Sequence, residues 1–205
     1  MISHPTTYKK HCTYEVNKKS YAKLIIGAIY SDPQWLMKAK SAMQIQGWEI
    51  QHQSKEFSFD QTDYYSTEMG EGLKRCFFSI KGLQSLEFSV DWKLKTVEIE
   101  QQLSIKEKRR INLDPGYLDL SRVVLLSGKE GSHKIYLRSG VWADLVLLKD
   151  KGGYRNFPWT FPDLRTGCYD DFFLLLRAEF KEEKSSVGER MVKDFGNELS
   201  KTNGN

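Results

Sequence analysis

The sequence predicts one α+β domain, with a mixed or antiparallel sheet packed against two main helices. Three observations carry that prediction. Leu24-Ile25-Ile26-Gly27-Ala28-Ile29-Tyr30 is a nearly continuous apolar run, the pattern of a central strand covered on both faces. Asp32-Pro33 follows it, an N-capping residue and a proline suited to a first helical position. Leu36, Ala39 and Met43 then continue as an apolar stripe. Further on, Ser139-Gly140 lies between two strand-like runs at 133–138 and 141–148, which is the signature of a two-residue hairpin.

The other elements follow in order. Gly47 can end the first helix. Trp48, Ile50 and His52 alternate with polar residues, as do Phe57 and Phe59, so both stretches read as strands. Residues 60–75 are rich in Asp, Tyr, Glu and Gly and read as a loop or short helix. Cys76-Phe77-Phe78-Ser79-Ile80 reads as a strand. Leu86, Val90, Leu94, Val97 and Gln101 keep helical spacing, which predicts the longest helix over about 86–106. Asp114-Pro115-Gly116 suits a type II bend, so 112–117 is expected to be a turn. Residues 118–126 are expected to be a short helix packed by Leu120, Val123 and Val124. A second turn at 150–153 leads into a strand at 154–157. Tyr169, Phe172, Phe173, Leu176 and Phe180 predict an amphipathic helix over 168–184.

Composition narrows the class. Aromatic residues make up 13% of 205 residues, ample for a core and unlike a disordered chain. Five of the 31 basic residues and one of the 27 acidic ones lie in residues 1–23, so the remainder is balanced at 26 each. The organisation expected is a basic N-terminal arm at 1–22, a globular domain at 23–184 and a polar tail at 185–205. The pI of about 8.8 reflects the arm, and the neutral core gives no support to nucleic acid as a partner. Cys12, Cys76 and Cys168 are scattered and odd in number, which suits a reducing, cytoplasmic setting and no disulfide framework. The N-terminal charges are followed by no apolar run, so no signal peptide is expected. No run approaches the roughly 20 apolar residues of a membrane span, so no membrane partner is expected either.

Four stretches in order carry a family resemblance. They are Phe59-Asp60-Gln61-Thr62-Asp63-Tyr64-Tyr65 with Glu68-Met69-Gly70; Asn112-Leu113-Asp114-Pro115-Gly116-Tyr117; His133-Lys134-Ile135-Tyr136-Leu137; and Pro158-Trp159-Thr160-Phe161-Pro162-Asp163. Over about residues 22–182 the chain resembles a bacterial family known as domain of unknown function 4416. The resemblance implies a short, soluble, cytoplasmic bacterial protein and no defined activity. Some relatives carry a nucleotide-binding label. Gly128-Lys129-Glu130-Gly131-Ser132-His133-Lys134 is glycine-bearing and basic, but lacks the spacing of a phosphate-binding P-loop.

Candidate chemistry sits in those same stretches. Asp60, Asp63 and Glu68 lie within nine residues and offer oxygen ligands to a divalent metal, the one cofactor suggested. The plainer account is a solvated loop in which aspartates cap turns. Asp114 and Asp63 are candidate catalytic carboxylates, and His133 a candidate general base. Lys129, Lys134 and Arg138, with Arg109 and Arg110 behind them, can hold a phosphate or carboxylate. Even spacing puts Lys134 and Arg138 on one face of a strand and His133 on the other. Tyr117 and Trp159 complete the candidate ligand-binding set. The stretch around Trp159 holds two prolines and two aromatics, so it is a lid over a cleft or, preferably, a strap over the core.

Two functions remain open on the sequence. One is a protein or enzyme that binds a small anion, phosphorylated or not, in a cleft lined by Asp and His. The other is a non-catalytic module that contacts RNA or protein through the basic arm and exposed aromatics.

Overall fold

The computed structural model describes residues 19–59 and 68–185. Nine strands form one sheet, and every neighbouring pair is antiparallel. The strands are β1 (Tyr21–Tyr30), β2 (Ile50–Gln53), β3 (Phe57–Ser58), β4 (Lys74–Ser85), β5 (Ile111–Leu118), β6 (Arg122–Ser127), β7 (Ile135–Arg138), β8 (Val141–Asp150) and β9 (Gly153–Asn156). The main path across the sheet runs β2-β4-β1-β5-β6-β8-β7, with β3 on β4 and β9 on β8. The helices are α1 (Pro33–Ile45), α2 (Ser89–Gln102), the short α3 (Pro162–Arg165) and α4 over 170–185.

Helices cover both faces of the sheet, which explains the long apolar run of β1. Every residue of β1 after Tyr21 is buried. Leu24, Ile26, Ala28 and Tyr30 point into a core shared with α1 and α2, through Leu36, Ala39, Met43, Val90 and Ile99. Ile25 points the other way, into a core formed with Phe77, Leu164, Tyr169, Phe173 and Leu176. Asp32 caps α1 as its position predicts, its Oδ1 accepting from Gln34 N at 2.8 Å. Ser139 and Gly140 take φ of 53° and 74° between β7 and β8, the primed turn that matches strand twist.

Lys23 of β1 is fully buried and reaches α4. Its Nζ lies 2.8 Å from Glu183 Oε1, 3.4 Å from Glu179 Oε2 and 3.0 Å from Gln51 Oε1. The domain therefore begins at or before Tyr21, inside the stretch expected to be an arm. The rest of that arm (1–18) and all but the first residue of the expected tail (186–205) lie outside the described residues.

Two expected elements are different. Residues 112–117 are not a turn but most of β5, because β1 pairs with every residue from Ile111 to Leu118. Residues 118–126 are not a helix. Asp119 caps a tight turn, accepting from Ser121 N at 2.7 Å and Arg122 N at 3.0 Å, and 122–127 becomes β6 against β8. A four-residue apolar run such as Val123–Leu126 fits either element by itself, and an available partner strand decides it. The long helix also stops at Gln102, where a tight turn carries Lys106 and Glu107 at φ of 50° and 62°.

Asp114-Pro115-Gly116 has a role in β5 that explains its composition. A Cβ added to Gly116 would stand 2.2 Å from the Val124 carbonyl oxygen, so β6 closes on β5 only because this residue is glycine. The β5–β6 ladder spans just Gly116↔Leu125, Tyr117↔Val124 and Leu118↔Val123. The Leu113 N–H points away from β1, towards α2, and amide directions alternate along a strand. The nitrogen of Pro115 thus faces the same edge and has no hydrogen to offer β6. Pairing ends there, and the two strands part. Gly116→Ala is expected to destabilise the protein by about 3 kcal/mol or more, read as a lower urea midpoint. An unchanged midpoint would show that β6 does not seat against this residue.

Candidate functional site

The parting of β5 from β6 opens a cleft of about 370 Å³, floored by both strands and roofed by α2 and the 128–134 loop. Side chains of α2 satisfy the strand edge that β6 leaves. Glu100 Oε1 accepts from Leu113 N at 2.5 Å, and Lys93 Nζ donates to the Leu113 carbonyl at 3.0 Å. Lys93 and Glu100 are seven residues apart and so share a helix face, with Val97 between them.

From that edge a chain of charges runs along the cleft. Lys93 Nζ also meets Asp114 Oδ1 at 3.0 Å, and Asn112 Nδ2 donates to Asp114 Oδ2 at 2.7 Å. Arg109 Nη1 donates to Asn112 Oδ1 at 3.0 Å and lies 3.7 Å from Glu100 Oε2. The Nε and Nη2 of Arg109 bind Glu68 in a two-pronged pair at 3.0 and 2.6 Å. These environments separate three carboxyls. Burial pushes Glu100 up to about 7, against the opposing charge of Lys93. Burial also works against the charge of Asp114, but Lys93 and Arg75 outweigh it and hold that carboxyl below its usual value. The hydrogen bonds of Arg109 hold Glu68 low.

The far wall belongs to Asp144 of β8, only 3% exposed. Its Oδ1 lies 3.5 Å from His133 Nε2 and its Oδ2 lies 3.9 Å from Lys134 Nζ. Burial raises this carboxyl, partly offset by Lys134 and His133. Lys134 Nζ donates to Ser127 Oγ at 3.0 Å, and Lys129 N donates to the same oxygen at 3.1 Å, which draws the loop over the cleft.

The predicted residues therefore divide. Asp114, Lys129 and Lys134 line the cleft, Glu68 reaches it through Arg109, and His133 stands behind Asp144. His133 and Lys134 precede β7 in a turn, so strand alternation does not separate them, and both reach Asp144. Arg138 lies elsewhere, paired with Asp91 at 2.8 Å on the surface. Tyr117 lines a separate hollow with Tyr21, Leu86 and Phe180. Trp159 is 39% exposed, stacks on His133 at 5.1 Å and on Phe157 at 4.9 Å, and donates from Nε1 to the Leu145 carbonyl. Its stretch is a strap: Phe161 reaches the cleft wall, and Asp163 forms a buried pair with Arg75 at 3.2 Å. Asp60 and Asp63 lie outside the described residues, and among the described residues no three metal-type side chains come together.

Lys93, Glu100 and Asp144 were not legible as site residues. The signal for Asp144 was a lone carboxylate inside an apolar strand. The signal for the other two was a pair of opposite charges, seven residues apart, on the stripe of Val90 and Val97.

Glu100 gives the cleft a pH dependence. Below about 4.5 it is protonated folded and unfolded; from there to about 7 the unfolded chain releases the proton while the folded one keeps it. Its contribution to stability thus falls as pH rises through that window. Glu100→Gln is expected to raise stability at pH 8 by on the order of 2–3 kcal/mol and to change little at pH 4. Urea unfolding of parent and variant at both pH values checks this; an equal effect at the two would show that Glu100 titrates normally.

No helix among the described residues is long and apolar enough to cross a membrane. Searches among curated proteins and among solved structures found no match. A family profile described as "Domain of unknown function (DUF4416)" matches residues 20–180, a span that contains every strand, the cleft and the strap, and the chain belongs to that family.

Proposed function

We propose that the protein binds a small anionic ligand, such as a phosphorylated one, in the cleft between β5 and β6. One observation carries the proposal: Lys129, Lys134 and Arg109 line one walled hollow, in which a fixed polar network lies against the apolar side chains of Val97, Leu125, Leu126 and Phe161. About 370 Å³ lies within the usual range for small-molecule sites. The carboxylates pair with cations on the floor and so fix their side chains, while Ser127 Oγ accepts from Lys134 Nζ and Lys129 N and so holds the loop at the rim. Two carboxyls with opposed environments, Glu100 raised and Asp114 lowered, also equip the cleft for proton transfer. The setting proposed is the cytoplasm, in line with a buried thiol at Cys76 and a half-buried one at Cys168, neither bonded to another.

A rival reading, an interaction module, has one observation in its favour. Edge strand β7 leaves Ile135, Tyr136 and Leu137 exposed at 70%, 54% and 39%, and exposed edges accept added strands.

Calorimetric titration with methyl phosphate separates the two. Lys129→Ala and Lys134→Ala are each expected to weaken binding about tenfold or more, the loss of one charge-assisted hydrogen bond, with circular dichroism unchanged. Tyr136→Ser on β7 should leave binding unaltered. No binding by the parent would overturn the cleft reading.

A further inference from the structure

The two strands that floor the cleft offer different chemistry. The β5 side is polar and already bonded to itself. Asp114 Oδ1 accepts from Lys93 and its Oδ2 from Asn112, Asn112 Oδ1 accepts from Arg109, and Glu100 Oε1 accepts from Leu113 N. Asp144, on the far wall, turns Oδ1 to His133 and Oδ2 to Lys134. The β6 side is apolar. Leu125 and Leu126 line it, and the half-buried Val97 of α2 and Phe161 of the strap line the same hollow.

That contrast decides what the body of a ligand must be. A hydroxyl entering the hollow gives up its bonds to water and meets oxygens that already hold donors, so its desolvation is poorly offset. An apolar group has no such bonds to lose, and it covers carbon that otherwise faces solvent. The carbon within reach belongs to Val97 and Phe161, since Leu125 and Leu126 are only 3% and 1% exposed. Val97 lies on the face of α2 between Lys93 and Glu100 and shares the hollow with Lys129 and Lys134. One small molecule can therefore meet both the lysines and the carbon.

We infer that the cleft takes an amphipathic anion, its charged end on Lys129 and Lys134 and an apolar body of a few carbons against Val97 and Phe161. The class is an alkyl or aryl phosphate rather than a sugar phosphate. This rests on the anion-binding reading of the same cleft and adds the ligand class. Val97 is then a specificity-determining residue, because it meets the part of the ligand that carries no charge.

Isothermal titration with methyl phosphate, butyl phosphate and ribose 5-phosphate tests it. The parent should bind butyl phosphate about tenfold or more tighter than methyl phosphate, as three further methylenes leave water. Ribose 5-phosphate should bind no tighter than methyl phosphate. Val97→Ser should cut the gain of butyl over methyl phosphate several-fold while leaving methyl phosphate affinity within about twofold. Leu94→Ser, on the same helix but outside the cleft, should leave the whole series unchanged. Equal binding of methyl and butyl phosphate by the parent overturns the apolar body and leaves the anion site standing. Tighter binding of ribose 5-phosphate than of butyl phosphate overturns it in favour of a hydroxylated ligand. A gain undiminished in Val97→Ser, or diminished equally in Leu94→Ser, overturns the role of Val97. If none of the three probes binds, the anion site falls as well. Should Val97→Ser fail to fold, the ranking of the three probes by the parent still decides the ligand class.

Discussion

The constraint on which the site depends is the unequal spacing of β5 and β6. At Gly116 the strands come so close that no side chain fits, and just beyond it Pro115 has no amide hydrogen to carry the ladder on. A sheet that closes at one residue and cannot pair at the next must open. The cleft is that opening, and its chemistry follows from backbone accounting. The Leu113 N–H and carbonyl still need partners, and α2 provides a carboxylate and an ammonium for them. Two charged side chains are thereby held deep in the domain, and Asp114 and Arg109 complete their pairing.

The second face of the sheet supports this arrangement through charge as well as packing. Arg75 of β4 is buried among the rings of Phe59, Phe77 and Phe161 at 4.8–5.4 Å and bonded to Asp163 of the strap. Tyr169 donates to the Arg75 carbonyl at 3.0 Å. Arg75 therefore ties the strap to the sheet, and its charge also helps to hold Asp114 ionised. The site and the strap are coupled through one guanidinium.

What was legible in the sequence was local. The Asp32-Pro33 start of α1, the burial of β1 and the Ser139-Gly140 turn each depend on neighbours a few residues away, and each stands where expected. The Asp114-Pro115-Gly116 bend was misread because its turn propensity was outweighed by eight residues of pairing with β1, a partner some ninety positions away. The cleft was half legible for a related reason. Asp114, Lys129 and Lys134 stand out in loops or turn-like motifs. Lys93 and Glu100 sit in an amphipathic helix, where charged residues ordinarily read as a solvated face, and only the register of α2 on β5 turns them inward. Leu94, read as part of the buried stripe, is instead 38% exposed.

Lys23 carries a consequence for the order in which the chain is made. It lies in the central strand, yet its carboxylate partner Glu183 comes 160 residues later, on the last described helix. While the ribosome is still building the middle of the protein, β1 has emerged but the groups that neutralise its buried ammonium have not. Enclosing Lys23 at that stage would bury a charge without a counter-ion, a large cost. Burial of Lys23 is therefore neutralised only when α4 packs on the sheet, so the last described helix seals the face of the first described strand.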